Sequence, residues 1–189
     1  MTTSWEKWCV GSGLEIGGAN YNRFFGIDTR NVDPYPDHPV FAAEQSKHGD
    51  PLPIDIVAWA DDIPVPDGSV DFVISSHVLE HVSNVIRTLK EWNRVVRSGG
   101  IIYMIVPHER RTFDRGRPLT PLSHIVADYM ADLREPPEAE CHQHVWRTDG
   151  VLEIIDWMNA ENLVSWKVVL VEDPDTKVGN GFTIVCRKA

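Results

Sequence analysis

Asp71-Phe72-Val73-Ile74-Ser75-Ser76-His77-Val78-Leu79-Glu80-His81-Val82 is the stretch that decides the fold. An apolar run ends at Ser76, and three metal-binding or proton-handling side chains gather at its polar end, the place where open α/β sheets keep their ligands. Positions 77, 80 and 81 stand in an i, i+3, i+4 relation. If the chain turns helical after Ser76, His77, Glu80 and His81 share one face while Val78, Leu79 and Val82 turn toward the core. Such a cluster can hold a divalent cation or position a base. The plain alternative is that Glu80 and His81 bond nearby backbone.

Outward from this stretch, short β-like runs alternate with helical patterns, and no repeat, low-complexity tract or linker divides the chain. This predicts one domain over 1–189, an α/β fold with a mostly parallel sheet between helices. The expected strands are 13–16, 24–28, 54–58, 70–75, 101–106, 164–171 and 182–187, the first five parallel and the last two paired antiparallel across the turn-rich 173–181 segment. Three helices are expected. One runs from Thr120 as N-cap and Pro121 through Leu133, and Pro136-Pro137 ends it. A second carries the stripe Val85, Leu89, Trp92 and Val96, with Gly99-Gly100 as its left-handed C-cap. The third spans 150–162, capped by Thr148 or Asp149. The Pro-, Asp- and His-rich loop 31–53 is expected to cover the site, with a short helix near Phe41–Gln45.

Composition excludes several function classes. The chain has 28 acidic and 18 basic residues, a formal charge of −10, which works against binding a phosphate backbone, so nucleic acid is not an expected partner. No apolar run is long enough to span a membrane and the first residues lack a signal-peptide pattern, pointing to the cytoplasm. Cys9, Cys141 and Cys186 are odd in number and scattered, which argues against a disulfide framework and fits a reducing compartment.

Gly13-Leu14-Glu15-Ile16-Gly17-Gly18-Ala19-Asn20 supplies a strand that stops at glycines, letting backbone amides approach a ligand where no Cβ stands in the way. A dinucleotide fingerprint needs Gly-x-Gly-x-x-Gly after the strand, and the spacing here is wrong, which disfavours nicotinamide cofactors. Glu15 suits a cationic ligand group, and Asp28, at the expected end of the next strand, suits a ribose diol. Each acid could equally be a solvated strand terminus.

Together these segments resemble the class I S-adenosylmethionine-dependent methyltransferases of the type-11 group, over nearly the full chain. GLEIGGAN is similar to that family's first motif, Gly26-Ile27-Asp28 to the second, and Ala60-Asp61-Asp62-Ile63-Pro64-Val65-Pro66-Asp67 to the adenine-side third. DFVISSHVLEHV is similar to the fourth, and Arg94–Gly100 to the segment after it. The resemblance implies a Rossmann-like, seven-stranded sheet with its last strand antiparallel and helices on both faces. It implies S-adenosylmethionine as cofactor, bound by Glu15, Gly17, Gly18, Asp28, Ala60, Asp61 and Ser76. The chain departs from the family in its short Asn20–Phe24 link and in Trp59, which stands where an acid is common and could stack on a purine or serve the core.

Val106–Thr120 and His142-Gln143-His144-Val145-Trp146 resemble a narrower group of short methyltransferases that accompany polysaccharide biosynthesis. A small saccharide is therefore the implied substrate. Arg111, Arg115 and Arg117 are the candidate substrate contacts, since guanidinium forks recognise diols, carboxylates or phosphates; pairing of Arg117 with Asp114 or Glu109 to brace the loop is as good a reading. Some relatives carry Glu-x-x-Glu-His and a later His that bind a divalent ion, which makes His77, Glu80, His81 and His144 a candidate set for magnesium or manganese. Three imidazoles suit softer ions better, leaving the ion's identity open. Without an ion, methylating an alcohol needs a base, for which His144 is the first choice and His142 the second. Two rival readings are a carboxylate (fatty acid) methyltransferase, whose substrate needs no base, and a non-catalytic S-adenosylmethionine-binding protein.

Overall fold

The central apolar run becomes a strand buried along almost its whole length, Val70–Ser76, and the rest of the sheet forms around it. The computed structural model describes residues 3–18, 24–36, 53–134 and 142–189. In chain order the elements are α1 (Ser4–Trp8), β1 (Ser12–Ile16), β2 (Asp28–Val32), β3 (Val70–Ser76), α2 (Val85–Val95), β4 (Val96–Pro107), α3 (Leu122–Met130), α4 (Thr148–Ala160), β5 (Trp166–Glu172) and β6 (Gly181–Lys188), with a 3₁₀ turn at Glu109–Arg111. The strands hydrogen-bond in the order β2-β1-β3-β4-β6-β5. β2, β1, β3 and β4 run parallel, and β6 runs antiparallel to both of its neighbours.

Alternate residues of the central strands serve opposite faces, as the pleat requires. Val73, Ile102 and Met104 join the larger core with α2, α3 and α4, whereas Phe72, Ile74, Ile101 and Tyr103 join a smaller one under Trp5 and Trp8 of α1. Both faces are covered, which is the condition for a parallel sheet. Helix α2 shows how local signals and packing agree. Asn84 caps it by accepting from the Arg87 amide at 3.0 Å, and Val85, Leu89 and Trp92 at helical spacing are wholly buried. Each such side chain contributes roughly 1.5–3 kcal/mol by leaving water.

Several expectations need correction. Six strands, not seven, form the sheet among the described residues. The stretch expected as a strand at 54–58 makes a single parallel bridge, Ile56 to Val32, on the outer edge of β2. β2 lies at 28–32 rather than 24–28, because the backbone of polar Asp28-Thr29-Arg30-Asn31, and not the apolar Phe24-Phe25, pairs with β1. Helix α2 ends at Val96, which is already extended and starts β4; Gly99, at φ 76°, lies within β4 and does not cap the helix. Helix α3 begins two residues after Thr120, with Pro121 as N-cap, and α4 is preceded by Arg147, so Thr148 and Asp149 are its first helical residues rather than its cap. The unforeseen α1 is signalled by a capping box, with Thr3 and Glu6 each bonding the other's backbone. The helix expected near 41–45 and the stop at Pro136-Pro137 lie outside the described residues.

Candidate active site

A cavity of about 740 Å³ opens at the carboxyl ends of β1, β2 and β3. Strand order reverses between β1 and β3, so this is the sheet's topological switch point. Gly17 forms its floor beside Ser76. Gly17 has φ 70°, a Cβ there would stand 2.6 Å from Val78 Cγ2, and its amide donates to Val32 O at 2.9 Å. Glycine alone meets all three demands. Asp33, buried just past β2, and the ring pair Tyr35–Trp59 (edge-on, 5.4 Å between centroids) line one wall. Ala60 and Asp61 continue that wall. Ala60 O accepts from Trp92 Nε1 at 3.0 Å, and Asp61 pairs with Arg87 at 2.8 Å, so α2 holds this segment in place.

On the side facing β3, the chain bends sharply after Ser76. His77 takes a left-handed φ of 57°, uncommon for a residue with a Cβ, and donates its amide to Ile105 O at 3.0 Å. This bend sends Glu80 inward. Its side chain is wholly buried, with neither carboxylate oxygen hydrogen-bonded, and three imidazole nitrogens surround it: His77 Nδ1 at 3.6 Å, His81 Nε2 at 3.7 Å and His142 Nε2 at 3.8 Å. One ligand atom each from Glu80, His81 and His142 lie within 4.8 Å of one another. Burial first, and Asp114 nearby second among the raising influences, push the Glu80 carboxyl up to about 8. Burial also lowers His77. His142 Nδ1 lies 2.6 Å from Asp114 Oδ2, which keeps the proton on Nδ1 and leaves the lone pair of Nε2 facing Glu80. The amides of Gln143 and His144 both donate to Glu80 O, at 2.8 and 3.1 Å, and so fasten the His142 segment to the bend that carries Glu80.

The remaining expected site residues divide clearly. Ser76, His77, His81 and His142 line the cavity with Gly17, Ala60 and Asp61. Glu15 lies below its floor, accepting from the Phe24 amide at 3.0 Å and Thr29 Oγ1 at 3.3 Å, and Gly18 packs against it. Asp28 is corrected: it opens β2 instead of closing it, and in a parallel sheet that puts it at the far end from Gly17. His144 is corrected too. It does not line the cavity; its Nε2 donates to Val82 O at 2.9 Å and its ring stacks on Trp146. Burial lowers its pKa to about 4. Arg111 and Arg117 brace the structure instead of facing the cavity. Arg111 binds Asp173 and Gly181 O, while Arg117 binds Asp114 and His142 O. Arg115 is exposed and away from the cavity.

Residues 9–104 match the family described as methyltransferase domain, more than half of the chain and including every cavity residue from β1 to the Glu80 bend. The chain belongs to the methyltransferase domain family. A probable S-adenosylmethionine-dependent methyltransferase of Mycobacterium tuberculosis is 39% identical over 76 residues, 38% of this chain and 27% of that protein. One from Mycolicibacterium smegmatis is 40% identical over 62 residues, 32% of this chain and 24% of that protein. The matches thus span about a quarter of those relatives' lengths. Among solved structures, an S-adenosylmethionine-dependent methyltransferase from Mesorhizobium loti aligns over 94% of this chain and 90% of its own at 15% identity, TM-score 0.57. Another, from Methanosarcina mazei, covers 94% and 92% at 16% identity, TM-score 0.56. At such identities they show the Rossmann-like methyltransferase fold.

Among the residues lining this methyltransferase domain's cavity, Asp33, Tyr35, Asn180 and Arg134 were not expected there from sequence. Asp33 is legible only once β2 is placed at 28–32, where it becomes the acid just after a strand. Tyr35 and Asn180 come from loops without periodicity. Arg134 shares Asp132 with Arg87 at the cavity wall.

Proposed function

We propose that the protein is an S-adenosylmethionine-dependent O-methyltransferase acting on a hydroxyl of a sugar or short oligosaccharide, with a divalent cation held by Glu80, His81 and His142. The observation that carries this reading is the wholly buried Glu80 carboxyl, without a hydrogen-bond donor, ringed by imidazoles at the end of β3. A buried carboxylate in that state is costly unless a cation or proton compensates it. One carboxylate oxygen and two imidazoles with a carboxylate behind one of them are a fitting ligand set for such an ion.

S-adenosylmethionine, when bound, supplies an electrophilic methyl group. Asp33 is placed to accept from a ribose diol, Tyr35 and Trp59 to flank an aromatic base, and Gly17 to let backbone come close. An alcohol is a poor nucleophile until it loses its proton. A bound cation supplies Lewis acidity toward a substrate hydroxyl. Where His142 Nε2 is not a ligand, the same lone pair accepts the hydroxyl proton, and Asp114 stabilises the imidazolium that results. A fatty-acid carboxylate would need neither device, so the polar, imidazole-rich site favours a hydroxyl acceptor.

The test is methyl transfer from labelled donor to a panel of mannosides, glucosides and fatty acids, read by mass spectrometry. Label is expected on saccharides. His142→Ala should lower the rate about 10²- to 10⁴-fold while calorimetric binding of the demethylated cofactor persists. Label on fatty acids alone, or unchanged turnover in His142→Ala, would overturn the reading. Full activity after chelation would remove the cation and leave His142 as base.

A further inference from the structure

A second group of metal-binding side chains lies apart from the cavity, on α3. His124 and Asp128 stand one turn apart on that helix, with His124 Nε2 3.4 Å from Asp128 Oδ2. His144 completes the group, one ligand atom from each of the three lying within 4.8 Å of the others. None of the three lines the cavity.

The state of His144 points to a ligand. Its side chain is 2% exposed, and Nε2 is committed to Val82 O at 2.9 Å. A carbonyl can only accept, so the proton resides on Nε2 and Nδ1 carries the lone pair. That buried Nδ1 has no hydrogen-bond partner. The ring is stacked on Trp146, 5.2 Å between centroids and 21° from parallel, and its edge meets the His124 ring at 5.8 Å. A neutral imidazole oriented by a backbone carbonyl on its far nitrogen is how proteins present histidine to a metal.

We propose that His124, Asp128 and His144 bind a divalent transition ion of zinc's softness, with solvent in the remaining position. Two nitrogens and one oxygen suit zinc better than magnesium or calcium. Ligands of a tetrahedral zinc ion lie about 3.4 Å apart for bonds near 2.1 Å; the Asp128–His124 pair already has that spacing, and the exposed His124 can rotate to close the rest. Loading would join α3 to the His144–Trp146 segment and, through Val82, to the bend carrying Glu80 and His81. Asn84 Nδ2 already spans Asp128 O and Leu133 O at 3.3 and 3.4 Å, and Leu133 lines the cavity. The ion would thus stiffen one cavity wall without contacting substrate.

The experiment is cobalt(II) and zinc titration of the full chain carrying Glu80→Gln, which takes the carboxylate out of the cavity cluster, with visible absorption and calorimetry as readouts. One ion per chain with tetrahedral cobalt bands is expected. Adding His124→Ala or Asp128→Asn should weaken binding at least about tenfold, since even losing a group that merely orients a ligand costs that much. These two variants carry the test because their side chains are not in the core, and unchanged circular dichroism verifies folding. No cobalt binding by the Glu80→Gln protein, or equal binding after His124→Ala and Asp128→Asn, would overturn the site.

Discussion

Glu80 and His142 reach each other across 62 positions of sequence, and what aligns them is hydrogen bonding to two groups that never face the cavity: Asp114 behind the imidazole, and the Glu80 carbonyl that takes the Gln143 and His144 amides. Asp114→Asn keeps the shape but can present an N–H where His142 needs an acceptor. The expected outcome is a kcat 10- to 100-fold lower with affinity for the demethylated cofactor unchanged, measured by steady-state kinetics beside calorimetry. Gly17→Ala faces both a positive φ and Val78 at 2.6 Å. It should cost about 1–3 kcal/mol in urea denaturation, and Val78→Ala in the same chain should recover part of that, because it relieves the contact but not the backbone. At this scale the sequence was readable where chemistry is local: His77, Glu80 and His81 follow from one strand end. The choice between His142 and His144 was not readable. Two residues apart, they would share a side in an extended chain, and the bend at Gln143 separates them.

Among the elements, the loop joining β5 to β6 has no periodic pattern and is nonetheless tightly built. Asp175 is buried and accepts from the amides of Lys177, Val178, Gly179 and Gly181 at 2.6–3.0 Å. Burial alone would raise its carboxyl, yet these four donors together hold it below the ordinary value. A carboxyl with a depressed folded pKa lends stability that is present above the unfolded value, near 3.9, and is lost as pH falls through the folded one. Asp175→Asn should therefore be less stable than the wild type at neutral pH by about 1.5–3 kcal/mol, with the difference shrinking as pH drops below about 4; urea midpoints across that range check it. Loops of this kind carry no hydrophobic rhythm, which is why Asn180 went unread while the stripe of α2 made that helix legible, although not its end at Val95. β2 failed for a related reason. It is the edge strand of the described sheet, Asp28 and Arg30 are exposed, and backbone pairing rather than side-chain pattern defines it.

For the molecule as a whole, alternating element types were enough to predict a parallel sheet covered on both faces, and the glycine turn was enough to place the cavity at its carboxyl edge. That six strands and not seven form the sheet among the described residues was not foreseeable from composition, since Ile54–Ala58 looks like a strand and forms one bridge. The two halves of the site are encoded in different places. Glu80 and His81 fall within the matched residues 9–104, while His142 and its partner Asp114 fall after them. In the proposed reading, the acceptor site is thus assembled from both sides of that boundary, whereas the residues set beside the nucleoside, Gly17, Asp33, Tyr35 and Trp59, all precede it. Exchanging the segment after β4 between relatives would, on that reading, replace His142 and its brace while leaving the proposed nucleoside contacts untouched.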